Sequence, residues 1–311
     1  MDGYDFIAID FETATSENSS ACSVGLACVK DLEIVHTEHH LIQPDSLVFG
    51  KKNIQINGIT PSMVKDSPKF PEVWKEIEHY FDGSCPIVAH NASFDMSVLK
   101  LCLMKDGIDI PPLTWYCSIP ITGKVCTDVG RSLEARANFL GVDVANHHNA
   151  EEDAVTCAKI VISTIKRKRY KSFATFVKTF TSIEPKDFIS FSPQKAIGGF
   201  REQLDYDTAI TNELIHDDGN EFENKTVVIT GDFSAFSRTE LSQMLINRGA
   251  FVKSSVTRKT DMLIIGKQDK AVVGEDGLSS KQEKVIAMRE KGVFVREVYE
   301  NELMEMLRCR R

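Results

Sequence analysis

Residues 4–13 read Y-D-F-I-A-I-D-F-E-T, an apolar run that closes on two carboxylates, Asp10 and Glu12. The run predicts a strand, and residues two apart on a strand project from the same face. Asp10 and Glu12 therefore share a face at the strand end. Two anions side by side repel unless a cation separates them, which makes the pair a candidate metal site. Ordinary strand–loop boundaries also carry such pairs, so the neighbouring segments decide.

Outward from that strand, Ala21–Lys30 and Glu33–Gln43 read as two more strands, with a polar turn at Lys30–Asp31. Thr60 before Pro61 reads as a helix cap followed by a first-turn proline. Apolar residues at 70, 73, 74, 77, 80 and 81 have a helical period. Pro86–Ala89 and Leu113–Ile119 read as strands, and Phe94–Met104, Arg131–Leu140 and Ala150–Lys166 as helices. Three strands followed by alternating helices and strands predict an α/β domain with a mixed central sheet over residues 1–166. Residues 167–221 lack a sustained period and open on the basic run Lys166–Arg169. They read as a linker with one or two short helices. Residues 222–311 begin again, with strands at Thr226–Thr230, Met262–Ile265 and Val293–Val295 and helices at Arg238–Asn247, Lys281–Lys291 and Val298–Leu307. That order predicts a small α/β domain with a parallel sheet.

The 311 residues, 42% hydrophobic and 26% charged, suit a globular protein of about two domains. No apolar run approaches the roughly 18 residues of a membrane span. The N-terminus lacks a basic flank before an apolar stretch, so neither a membrane partner nor a signal peptide is expected. Eight scattered cysteines without a C-x-x-C pair point away from structural zinc and toward reduced thiols in a cytoplasmic protein. The net charge of −8 is uneven: residues 1–164 carry −11, residues 165–221 carry 0, and residues 222–311 carry +3. Coating nucleic acid by charge alone is not expected of such a chain.

Two further segments deliver acids to the ends of apolar elements. H-N-A-S-F-D (90–95) places Asp95 at a helix start, where Ser93 is the expected N-cap. H-H-N-A-E-E-D (147–153) places Asp153 in the first turns of the last helix of the domain, with His148 five residues before it. Each is explicable alone by capping or by the helix dipole. Together with Asp10 and Glu12 they make an ordered set.

In order and separation, D-F-E-T (10–13), H-N-A-S-F-D (90–95) and H-x-x-x-x-D (148–153) resemble the DEDDh family of 3′–5′ exonucleases, which includes the proofreading epsilon subunit of bacterial DNA polymerase III, oligoribonuclease and ribonuclease T. The resemblance covers residues 4–166 and extends to N-G-I-T (57–60), although histidine is commoner in the family where Asn57 stands. It implies a ribonuclease H-like fold in which Asp10, Glu12, Asp95 and Asp153 hold two Mg²⁺ or Mn²⁺ ions, which suit hard oxygen ligands. It makes His148 the general base, with His147 its rival, and nucleoside 5′-monophosphates the products. It also brings Phe11, Thr13, Asn91 and Phe94 near the terminal nucleotide, with core packing the competing role for Phe94.

In the C-terminal part, V-V-I-T-G (227–231), S-R-T-E (237–240), R-G-A-F-V (248–252), S-V-T-R-K-T-D-M-L-I (255–264) and S-S-K (279–281) resemble a BRCT domain, of the subtype in NAD-dependent DNA ligase and the large subunit of replication factor C. That resemblance implies a phosphate site at Thr230, Gly231, Arg238 and Lys281, for a DNA 5′-phosphate or a phosphorylated partner; BRCT modules also associate with proteins without phosphate. Since BRCT modules accompany replication and repair enzymes, DNA is the expected substrate and a DNA polymerase or repair protein the expected partner. A 3′–5′ exoribonuclease and a non-catalytic end-binding scaffold are the alternatives.

Overall fold

The computed structural model describes residues 3–144, 149–196, 202–215, 219–268 and 277–308. The chain divides into two compact units, Met1–Asp45 with Lys52–Glu202 and Ser46–Lys51 with Gln203–Arg311.

The first unit is built on β1 (Phe6–Thr13), β2 (Ala21–Lys30) and β3 (Glu33–Leu41), paired antiparallel in sequence order. The short strand β4 (Phe49–Gly50) falls in the second unit. On the other side of β1, β5 (Ile87–Ala89) and β6 (Thr114–Cys117) add in parallel, and β7 (Lys186–Asp187) closes the edge antiparallel. The sheet is therefore mixed, in the order β3-β2-β1-β5-β6-β7. Helices α1 (Lys51–Asn57), α2 (Pro61–Val64), α3 (Phe70–Ile77), α4 (Ser93–Lys105), α5 (Ser118–Thr122), α6 (Leu133–Leu140), α7 (Ala150–Arg167) and α8 (Phe173–Thr179) follow in the chain.

The apolar run of β1 reflects burial on both faces. Ile7, Ile9 and Phe11 enter a core with residues of α3 and α4. Phe6 and Ala8 enter a second core with residues of α6, α7 and α8. Each of the isoleucine and phenylalanine side chains, fully buried, contributes about 1.5–3 kcal/mol. The face of Phe6 and Ala8 continues as Asp10 and Glu12, so the same alternation that fills the α7 core delivers the carboxylates to that side.

The approach of α7 to the sheet depends on Gly25, which pairs with Asp10 across β1 and β2. A Cβ on Gly25 would lie 2.2 Å from the Ala150 carbonyl carbon and 2.3 Å from the Glu151 nitrogen. Only glycine lets the first turn of α7 rest on the sheet there. Thr37 Oγ1 of β3 donates to Glu151 Oε1 at 2.7 Å and holds the same helix end. Lys100 of α4 is buried, and its ammonium donates to the carbonyls of Phe188, Ile189 and Phe191 at 2.8, 2.8 and 2.6 Å. It thereby ties down the segment after β7.

In the second unit, β4 pairs antiparallel with β8 (Leu204–Asp205). The strands β9 (Thr226–Thr230), β10 (Phe251–Lys253), β11 (Met262–Ile265) and β12 (Arg296–Tyr299) form a parallel sheet in the order β10-β9-β11-β12. Helices α9 (Arg238–Asn247), α10 (Ser280–Arg289) and α11 (Glu300–Leu307) connect and cover it. Ser237 with Glu240 and Ser279 with Gln282 form capping boxes at α9 and α10. No helix among the described residues is long and apolar enough to cross a membrane.

Four local expectations are corrected. Helix α4 has Ala92, not Ser93, at its N-cap, because Asn91 takes a left-handed turn and Phe94 N donates to Asn91 O. Thr60 precedes α2, but its hydroxyl pairs with Ser62 Oγ and caps no backbone N–H. The strand at 114–117 ends before Ser118, where α5 begins. The strand expected at 293–295 instead starts at Arg296, because Val293 N still bonds Met288 O in the turn that ends α10.

Gly25→Ala is expected to cost about 3 kcal/mol or more in urea unfolding, at the upper end of overpacking changes. Gly3→Ala, whose Cβ meets nothing within 4 Å, stays within about 0.5 kcal/mol. Equal stabilities of the two variants would contradict the packing described.

Candidate functional site

Three elements converge at the C-terminal end of β1. The strand itself supplies Asp10 and Glu12, both half-buried, with Phe11 between them turned into the opposite core. Helix α7 supplies Asp153 from its first turn, where Asn149 is the N-cap and its Oδ1 accepts from the nitrogens of Glu151 and Glu152 at 3.1 and 3.3 Å. Carboxylate oxygens of Asp10, Glu12 and Asp153 all lie within 4.8 Å of one another. Helix α4 supplies Asp95, fully buried, whose Oδ1 accepts from Phe11 N at 3.0 Å. Its other oxygen, Oδ2, is buried with no hydrogen-bond partner among the described residues.

The electrostatics follow from that crowding. Burial, then the charges of Asp95, Glu12 and Asp153, push Asp10 well above the ordinary carboxylate range. Burial raises Glu12 to about 7; the Asn57 amide opposes the rise and the Asp153 charge adds to it. Asp95 is likewise raised well above its usual value, chiefly by burial, against the Phe11 N–H that favours its charged form. A set of anions this close, with one buried oxygen left unpaired, fits divalent cations with hard oxygen ligands.

The other residues singled out in the sequence fall as follows. His148 and His147 lie outside the described residues. Phe11 is 1% exposed and contributes its backbone to this end of the strand. Thr13 is buried, and its carbonyl accepts from Asn53 Nδ2 at 3.0 Å and Asn57 Nδ2 at 3.2 Å. Asn91 is exposed at the turn before α4, and Phe94 is half-buried against the α4 core. His90 is tied to Ser118 Oγ at 2.7 Å and to Arg131 O at 2.8 Å, and burial lowers it to about 4. Asn53 escaped the sequence reading, and Asn57, which opens the N-G-I-T segment, was given no contact with the acids; both lie on α1. Their spacing of four on one helix was the available signal.

In the second unit, Thr230 ends β9 and Gly231 follows it. Arg238 Nη2 donates to Gly231 O and Lys281 Nζ to Ile229 O, each at 2.8 Å, so all four residues meet at one strand end. Gly231 has φ +81°, and a Cβ there would lie 2.6 Å from Gly266 O, so the position admits only glycine.

The raised carboxyls give a sign for stability. A carboxyl that holds its proton more tightly folded than unfolded lends stability that is complete below its unfolded value. That stability is lost as pH rises through the folded value. With a chelator present, the urea midpoint is expected to fall as pH rises from about 4.5, the ordinary value of Glu12, through about 7. Asp95→Asn keeps the acceptor for Phe11 N and removes an anion, so its midpoint falls less steeply. A midpoint that rises across this window would contradict the burial and crowding that raise these carboxyls.

Residues 7–161 match the family model described as Exonuclease, and residues 218–295 match that of the BRCA1 C Terminus (BRCT) domain. The DNA polymerase III PolC-type protein of Clostridium perfringens (strain 13 / Type A) is 30% identical over 184 residues, which are 56% of this chain and 12% of that protein. The 3′-5′ exonuclease DinG of Staphylococcus epidermidis is 28% identical over 166 residues, 52% of this chain and 18% of that protein. The chain thus spans less than a fifth of the length of these relatives. Among solved structures, exonuclease X in complex with 5′ overhanging duplex DNA aligns at 27% identity and a TM-score of 0.45, over 54% of this chain and 95% of that one. Together the two family matches identify an exonuclease-family domain on the α/β fold, followed by a C-terminal BRCT domain.

Proposed function

We propose that the chain is a metal-dependent 3′–5′ exonuclease of the DEDDh type that releases nucleoside 5′-monophosphates from DNA 3′ ends in repair or proofreading. The observation that carries this reading is the meeting of Asp10, Glu12 and Asp153 within 4.8 Å, from a strand and a helix far apart in sequence. The catalytic module is assigned to residues 1–166 and a BRCT module to 222–311, with 167–221 between them; α8 and β7 of that stretch belong to the first compact unit.

In this reading Asp10, Glu12, Asp95 and Asp153 hold two Mg²⁺ or Mn²⁺ ions. Bound there, such ions would supply Lewis-acid chemistry, lowering the pKa of a water and offsetting negative charge on the phosphate. The chain's own part is to fix the carboxylates on rigid elements and to move the proton. His148 takes the proton of the attacking water, which an imidazole with a pKa near 6.5 does at neutral pH. The backbone of Phe11–Thr13 lies beside the terminal nucleotide, with Asn91 and Phe94 on the α4 side.

For the BRCT module we infer a site for a DNA 5′-phosphate or a phosphorylated partner at Thr230, Gly231, Arg238 and Lys281. Support comes from the convergence of the two cations on the carbonyls that end β9. A hydroxyl, a backbone turn and two basic side chains suit an oxyanion.

One gel tests the catalytic reading. With Mg²⁺ or Mn²⁺, 5′-labelled single-stranded DNA is expected to give a ladder that shortens from the 3′ end, and EDTA to abolish it. Asp10→Ala is expected to lose on the order of 10³-fold in rate, roughly 4 kcal/mol of barrier. His148→Ala is expected to lose most of the rate while still binding metal. Cleavage of RNA alone would replace the substrate by RNA, and no cleavage with any metal would leave a scaffold. For the second module, the Arg238→Ala, Lys281→Ala double variant is expected to bind 5′-phosphorylated duplex at least about tenfold more weakly, the equivalent of 1.4 kcal/mol. Unchanged affinity would remove the phosphate site.

A further inference from the structure

Helix α1 turns one side chain directly onto the acidic cluster. Asn57 Nδ2 donates to Glu12 Oε2 at 3.2 Å and to Thr13 O at 3.2 Å. Its Oδ1 accepts from Ile59 N at 3.0 Å. That last bond fixes which way the amide faces: with the oxygen engaged by an N–H, the nitrogen is the atom that meets Glu12. One turn earlier, Asn53 Nδ2 donates to Thr13 O at 3.0 Å, Thr13 Oγ1 at 3.2 Å and Thr15 O at 3.0 Å. The two asparagines, four residues apart on one face, clamp the strand exit that carries Glu12.

We propose that Asn57 is a positioning residue for the exonuclease site: its amide holds one oxygen of Glu12 so that the other is presented to a divalent cation. The inference rests on the reading of Asp10, Glu12, Asp95 and Asp153 as cation ligands. The physical case is rotational. A half-buried glutamate has three side-chain torsions, and a ligand left to sample them binds a cation less tightly than one held in place. A carboxylate ligand with a hydrogen-bond donor on its outer oxygen is oriented before the cation arrives, and loss of such a donor typically costs 10–100-fold in metal affinity. Asn57 differs from neighbours that serve only the fold because one of its donors ends on the carboxylate itself, not on backbone.

The test is Mn²⁺ binding by the full chain, followed through the electron paramagnetic resonance signal of free Mn²⁺, a readout independent of turnover. Asn57→Asp keeps the size of the side chain and its acceptor for Ile59 N, but removes the donor. Asn57→Ala removes the donor without adding charge and keeps the test open where the aspartate variant does not fold. Asn57→His restores a ring N–H donor. The Kd for Mn²⁺ is expected to rise about 10–100-fold in the aspartate and alanine variants and to return most of the way in the histidine variant. Wild-type affinity in both donor-less variants overturns the proposal, as does a histidine variant no tighter than alanine. Asp10→Ala separates the two levels of the argument. If wild type binds no Mn²⁺, or Asp10→Ala binds it as tightly as wild type, the metal reading itself fails and takes this inference with it. If Asp10→Ala loses Mn²⁺ while the donor-less variants keep it, only the role of Asn57 falls.

Discussion

Helix α7 can press its first turn onto the central sheet only where a side chain is missing, and that place is Gly25. Because Gly25 pairs with Asp10, the backbone contact sets how near Asp153 comes to the carboxylates of β1. The rest of the site follows from this packing. The apolar faces of β1 and α7 supply burial on the scale of several side chains at about 1.5–3 kcal/mol each. That burial holds together anions which would separate in water. Asp95 is drawn into the same place by the Phe11 N–H. The fold therefore stores electrostatic repulsion at one strand end, stabilised by hydrophobic packing elsewhere, a pattern expected at functional sites.

The polar groups around the cluster divide by what they hold. His90 reaches Ser118 and Arg131, so it braces the start of α5 and the loop before α6. Arg136 is buried and donates to the carbonyls of Gly130 and Ile119 and to the Thr122 hydroxyl. Lys100 spends three N–H bonds on carbonyls after β7. Each cation is satisfied by backbone oxygens, as a charge taken from water must be. These are supports of the scaffold. Asn57 stands apart because its amide ends on an acid of the cluster.

Much of this architecture is legible in the sequence because its signals are local. The apolar run of β1, the Lys30–Asp31 turn and the helix over α7 lie within windows of 8 to 18 residues. Asp153, widely separated in the chain from Asp10 and Glu12, could be linked to them only by the ordered motif pattern, and the three carboxylates do meet. What escaped has non-local or subtle causes. Two residues of β7 carry no period, and their strand exists because they pair with Thr114 and Trp115. The three residues of β10 exist as a strand through pairing with Thr226, Val227 and Val228. Ser93 looked like a cap until the left-handed Asn91 moved the helix start by one residue. The Asn57–Glu12 bond joins residues 45 apart in sequence, beyond any local pattern.

The central claim is that Asp10, Glu12, Asp95 and Asp153 are kept together to share divalent cations. Anomalous diffraction from crystals grown in Mn²⁺ tests it most directly. The account predicts two anomalous peaks bounded by these four carboxylates, with Asp95 Oδ2 engaged by one of them. Crystals in which the four side chains keep their arrangement at high Mn²⁺ and no anomalous density lies between them would contradict it.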